Sequence, residues 1–154
     1  MITANGETVV RLEERLGYVH KGVEGLMAGA AIEQGARLAG RISGDSTVAY
    51  AWAFAAAVEA ALGWTPPARA VLLRAVMAEL ERMAHHISDV GAICNDASVV
   101  AIHARCAVQR EDVLAVAGVC FGHRLMMDCV VPGGVASDIP ANGAAALRAL
   151  ITAI

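Results

Sequence analysis

The 154-residue sequence has few aromatic residues, 4% of the total, and little charge, with Asp, Glu, Lys and Arg together at 18%. A charged share below the usual quarter leaves little polar surface for a solitary monomer. Clusters of Lys or Arg are missing: twelve basic residues stand against fifteen acidic ones, for a net charge of −3. Nucleic acid is therefore excluded as the expected partner. No uncharged apolar run reaches the roughly 18 residues of a membrane span, because Glu59 interrupts the richest stretch, Val48 to Leu62. The N-terminus, MITANGETVVRLEERLG, lacks the basic region and apolar core of a signal peptide. No C-x-x-C pair occurs, and Cys94, Cys106, Cys120 and Cys129 are well separated. They read as small buried hydrophobes in a cytoplasmic protein.

What is abundant is apolar and helix-forming. The 57% hydrophobic share excludes disorder, and the length is that of one domain. Strand-like alternation is confined to Thr8–Arg11, within an N-terminal extension of residues 1–15, and residues 16–154 read as a helical domain. The expected architecture is all-α, a bundle of about five helices with one long central helix. A first helix is expected over Leu16–Leu38, weakened by Gly22, Gly25, Gly29 and Gly35 and closed by Gly40. Asp45, Ser46 or Thr47 would cap a second, ending at Leu62-Gly63. Pro66-Pro67 opens the third.

In that third helix Leu72, Leu73, Val76, Leu80, Met83, Ile87 and Val90 form an apolar stripe, with Arg69, Arg74, Glu79, Glu81 and Arg82 mostly off it. Further helices are expected from near Ser98 and from near Glu111 to Asp128. Val131-Pro-Gly-Gly-Val135 reads as a turn. Asn142–Ile154 reads as the start of another helix without a terminating signal, so the chain is expected to be a piece of a longer one.

Four blocks, RLGYVHKGVEGL, RISGDSTVAYAWAFAAAVEAALG, PPARAVLLRAVMAELERMAHHISDVGA and VVPGGVASDIP, resemble in order the large subunit of group 4 energy-converting NiFe-hydrogenases. They are also similar to its relative in respiratory complex I, the quinone-site 49 kDa subunit. The resemblance covers nearly the whole chain and matches the N-terminal and middle part of a subunit several times longer. It implies the helical core of that large subunit, an iron–sulfur small subunit and membrane-arm subunits as partners, and a position on the cytoplasmic face of the inner membrane. When isolated, the chain could also form a homo-oligomer.

The parent family uses a nickel–iron centre or a quinone, and the resemblance can be followed residue by residue. Where hydrogenases have R-[IV]-C-G-x-C, this chain has Arg41–Ser46, with Ser43 and Ser46 at both thiolate positions and Tyr50 where a His is usual. Neutral hydroxyls are poor ligands for a soft metal, so no metal and no cofactor are expected in this chain. Gly44 stands where complex I places a quinone-binding Tyr. Glu24, in H-K-G-V-E, matches a proton-relay Glu, with His20 four residues before it as a partner. A helical salt-bridge role for Glu24 fits equally. Asp96 matches an Asp that supports the quinone-site His, and it also fits a plain helix cap.

Other groups are given structural expectations. His85 with Asp89 and His103 with Cys106 have helical spacing for two metal ligands, but no third ligand is fixed. His86 is expected as a core or helix-contact residue, and Glu79 and Arg124 as buried interhelical pairing partners. Met77, Met83, Met126 and Met127 fill the core, and Pro132–Val135, with Asp138 after it, positions the chain beyond the turn. Two functional readings stand: a domain of a redox-complex large subunit with quinone- or proton-coupling and no hydrogenase activity of its own, or a non-enzymatic helical scaffold.

Overall fold

The structure, a computed structural model, describes residues 1–153; Ile154, the expected end of the last helix, lies outside the described residues. An N-terminal hairpin of β1 (Ile2–Asn5) and β2 (Thr8–Leu12) pairs antiparallel, with Ile2 opposite Leu12, and all its strand residues are exposed. The short alternation at Thr8–Arg11 is thus a strand.

The helix expected over Leu16–Leu38 is two short helices, α1 (Val23–Met27) and α2 (Ile32–Ala39), preceded by irregular chain. The glycines decide this. Gly17, Gly22 and Gly29 take φ of 104°, 68° and 75°, the left-handed region in which no helix propagates. The second expected helix, α3 (Thr47–Leu62), has its predicted ends, and Gly63 closes it at φ 67°. Its cap differs from expectation. Ser46 is the N-cap residue but makes no side-chain cap bond, and the Val48 and Ala49 amides donate instead to the Glu81 carboxylate.

Pro67 opens α4 (Ala68–Asp96), a 29-residue rod about 43 Å long. The two helices expected from Ser98 and Glu111 are one, α5 (Val100–Phe121), because neither Pro nor a left-handed Gly interrupts it before Gly122 at φ 79°. The Pro-Gly-Gly segment folds as predicted into a tight hairpin, β3 (Val130–Val131) against β4 (Gly134–Val135), with Gly133 at φ 85° after Pro132. A last helix, α6 (Ala141–Ala153), packs on α5. Among the described residues the chain is mostly helical, with six helices and one long central rod. Among the described residues no helix is long and apolar enough to cross a membrane.

The core joins Val48, Ala51 and Ala55 of α3 to Leu73, Met77, Leu80 and Ala84 of α4 and to Val113, Leu114, Ala117 and Phe121 of α5. Leu72 and Val90, expected on the buried stripe, are exposed at 68% and 52%. The charged residues Arg74 and Glu81, expected off it, are buried. Each is buried because it is paired. The Arg74 guanidinium donates to both Glu59 oxygens at 3.1 and 2.6 Å, to the Val131 carbonyl at 2.7 Å and to the Gly134 carbonyl at 2.9 and 3.0 Å. Glu59 in turn accepts the Gly133 amide at 2.7 Å. This network seats the Pro-Gly-Gly hairpin on α3 and α4. Gly91 lets α4 and α5 close: a Cβ there would lie 2.9 Å from the Cys106 Cβ.

Candidate functional site

The turn Arg41–Ser46 joins α2 to α3 and is gripped from one side by α4. Glu81 reaches the first free amides of α3, Val48 N at 2.7 Å and Ala49 N at 3.0 Å. An anion at a helix N-terminus meets both unpaired N–H groups and the positive end of the helix dipole. One helical turn further on, the His85 Nε2–H donates to the Asp45 carbonyl. The Asp45 carboxylate accepts the Ser43 hydroxyl at 2.6 Å. That bond, with the nearby charges of His85 and Arg110, holds the Asp45 carboxyl below the ordinary range. Burial pushes Glu81 up despite its two amide donors.

Ser43 is therefore a hydrogen-bond donor within the turn, and Ser46 opens α3. Tyr50 is exposed on the first turn of α3. On the other side of the turn, Val19, His20, Lys21, Val23, Glu24, Met27 and Ile42 line a groove of about 240 Å³. Lys21 Nζ donates to the Ile42 carbonyl at 2.8 Å, which ties the segment before α1 to the residue next to Ser43. His20 and Glu24 share this groove without sharing a helix face. His20 lies in a turn, its amide bonded to the Gly17 carbonyl, and the left-handed Gly22 separates it from α1. Both side chains are exposed.

Asp96 stands apart. It is the exposed last residue of α4, about 16 Å along the axis beyond His85, and caps no following helix. His86 is exposed and not a core contact. Asp89 is also exposed, while His103 turns Nδ1 onto the Gly91 carbonyl at 3.1 Å beside the buried Cys106. Among the described residues no three His, Cys, Asp or Glu side chains converge as metal ligands.

Glu79 and Arg124 are paired but not buried. Glu79 meets Arg82 on the surface of α4, and Arg124 meets Glu111, all more than half exposed. The interhelical buried pair is Glu59–Arg74, which the sequence reading missed. Its signal was present, since a lone charge in an otherwise apolar helix needs a partner. Glu81 was missed as well, although it precedes His85 by one turn. Of the methionines, Met77 and Met126 are buried and Met83 and Met127 half-buried, as expected of core filling. Asp138 holds Arg69 at 2.5 Å beside the hairpin.

Comparison with known proteins identifies similar chains. The sequence is 30% identical over 151 residues to the D subunit of NADH-quinone oxidoreductase from Dehalococcoides mccartyi, covering 97% of this chain and 41% of that one. It is 28% identical to a D subunit of NADH-quinone oxidoreductase from Roseiflexus sp., covering 98% of this chain and 36% of that one. The D subunit of F(420)H(2) dehydrogenase from Methanosarcina mazei is 29% identical, covering 88% and 36%. The chain is a relative of these D subunits. That bears out the resemblance to the complex I 49 kDa subunit. No family model matches the chain. The chain spans about two fifths of the length of the relatives it matches.

Proposed function

We propose that this chain is the helical domain of a D-type large subunit in a membrane-associated redox complex, with quinone- or proton-coupling at the Arg41–Ser46 turn and no nickel–iron centre. The observation that carries the reading is the groove in which His20, Lys21 and Glu24 meet Ile42, next to the degenerate ligand Ser43. Its walls, Val19, Val23, Met27 and Ile42, are apolar, and its polar groups are few. That combination suits the head of a quinone, which needs donors at its carbonyl oxygens and apolar contact elsewhere. Glu24 would exchange protons with the bound head, and His20 would hydrogen-bond it. Asp96 enters this reading through the family resemblance alone.

The residues do not fit a nickel–iron centre. Ser43 and Ser46 offer hydroxyls, one already donating to Asp45, where a soft metal requires thiolates. Elemental analysis is expected to find no nickel, and stoichiometric nickel with hydrogen uptake would overturn this. The proposed partners are an iron–sulfur subunit and membrane-arm subunits, and the proposed position is peripheral, on the cytoplasmic face of the inner membrane. The helical core would follow that of the hydrogenase large subunit, with residues 1–15 as an extension.

A second reading, a helical scaffold that holds partner subunits, draws on the exposed Val90, Ile93, Val99, Val100, Ile102 and Val108 at one end of α4 and α5. Titration with decylubiquinone separates the two. Saturable binding that weakens in Glu24→Gln supports the redox reading; no binding, or binding unchanged in both Glu24→Gln and Asp96→Asn, supports the scaffold.

A further inference from the structure

Away from that groove, a hollow of about 220 Å³ opens between α4 and α5, lined by Ser88, Gly91, His103, Cys106, Ala107 and Arg110. No carboxylate lines it. Arg110 carries a buried Nε that has no hydrogen-bond partner. A buried guanidinium N–H without an acceptor is costly, and a water or an ion would meet it. His103 is fixed beside it, with Nδ1 on the Gly91 carbonyl and Nε2 left for a second partner. Ser88 adds a hydroxyl from α4.

Arg110 also borders the Asp45–Glu81–His85 cluster, and that side does not satisfy it. The hollow there holds only about 10 Å³, room for a single water at most. Ser43 donates to one Asp45 oxygen and two amides donate to Glu81, while Arg110 acts on Asp45 through its charge without a hydrogen bond. The open side, at roughly 30 Å³ per water, has room for one small anion and a few waters.

We propose that this hollow is a binding site for a small tetrahedral oxyanion, phosphate or sulfate, held by Arg110 with His103 and Ser88. Arg matches the oxygen spacing of such anions with paired N–H donors. Three donors arriving from two helices suit a tetrahedral ion better than a planar carboxylate. His103, whose Nδ1 is on the Gly91 carbonyl, presents Nε2 to the hollow and donates through it to an anion as the imidazolium.

The test is titration with sodium sulfate against sodium chloride at matched ionic strength, read by calorimetry and by the Arg110 Nε–Hε resonance. Saturable sulfate binding that shifts this resonance is expected. Arg110→Gln should weaken it about ten- to a hundredfold, with Arg110→Lys intermediate and the surface control Arg82→Gln unchanged. Glycerol 3-phosphate then separates two sources of the same group: binding equal to that of inorganic phosphate indicates a site open to phosphate esters, and its exclusion indicates a free ion. Absence of a saturable shift in the wild-type resonance overturns the proposal, and so does sulfate binding retained in a folded Arg110→Gln protein. If Arg110→Gln fails to fold, the wild-type resonance and Arg110→Lys decide.

Discussion

Replacing Glu59 by Gln removes one charge from a pair whose side chains are 8% and 2% exposed, while changing volume little. Arg74 would keep its bonds to the Val131 and Gly134 carbonyls but lose its counter-charge, and a buried charge without one is destabilising by about 3–5 kcal/mol. Against a whole-domain stability of roughly 5–15 kcal/mol, that is a large fraction. Urea unfolding should show a lower midpoint at unchanged slope. The double variant Glu59→Gln/Arg74→Met should lose less than the two single losses added together, because it removes the orphaned charge as well. A loss below about 1 kcal/mol, the scale of an exposed pair, would refute the reasoning, as would additivity. The acid limb gives a second check. The Arg74 guanidinium, hydrogen-bonded to Glu59, holds its carboxyl below the ordinary range. The pair's contribution is therefore present above the unfolded pKa and lost as pH falls through the folded one, so Glu59→Gln should flatten that limb.

Glu81 should behave with the opposite sign. Burial raises its pKa, so the folded state binds its proton more tightly than the unfolded chain does. Its stability advantage over Glu81→Gln should be largest below the ordinary glutamate pKa and shrink as pH rises from about 4 towards neutrality, read as the difference in urea midpoints. Gly91→Ala should cost about 1–3 kcal/mol by forcing α4 from α5. The clash is with the Cys106 Cβ, so Cys106→Gly should rescue it and Cys106→Ala should not. Arg41→Ala should cost less than about 1 kcal/mol by thermal unfolding, because its pair with Asp128 is 42% exposed on both sides.

The elements legible in the sequence were those bounded by chemically unambiguous residues. Gly63 and Pro67 delimit α3 and α4, and Pro132-Gly133 fixes the hairpin. Where boundaries depended on which of several glycines turn left-handed, the reading merged α1 with α2. Where they depended on weak polar signals, such as Ser98 and Glu111, it divided α5. Periodicity places a side chain on a face but says nothing of its partner, which is why Arg74 and Glu81 fall mostly off the apolar stripe and yet are buried. The candidate site was legible as residue identities: Ser43 and Ser46 in the turn, His20 just before α1 and Glu24 in its first turn. Its wiring was not, because Glu81 reaches Val48 across 33 residues and Lys21 reaches Ile42 across 21.

We propose the groove beside Arg41–Ser46 as the redox-side site of this domain. Calorimetric titration with decylubiquinone tests it most directly, because the structure puts Glu24 in that groove and Asp96 at the far end of α4. The predicted result is saturable binding that is weakened by Glu24→Gln and His20→Ala more than by Asp96→Asn. No saturable binding, or binding indifferent to both groove variants, would contradict it.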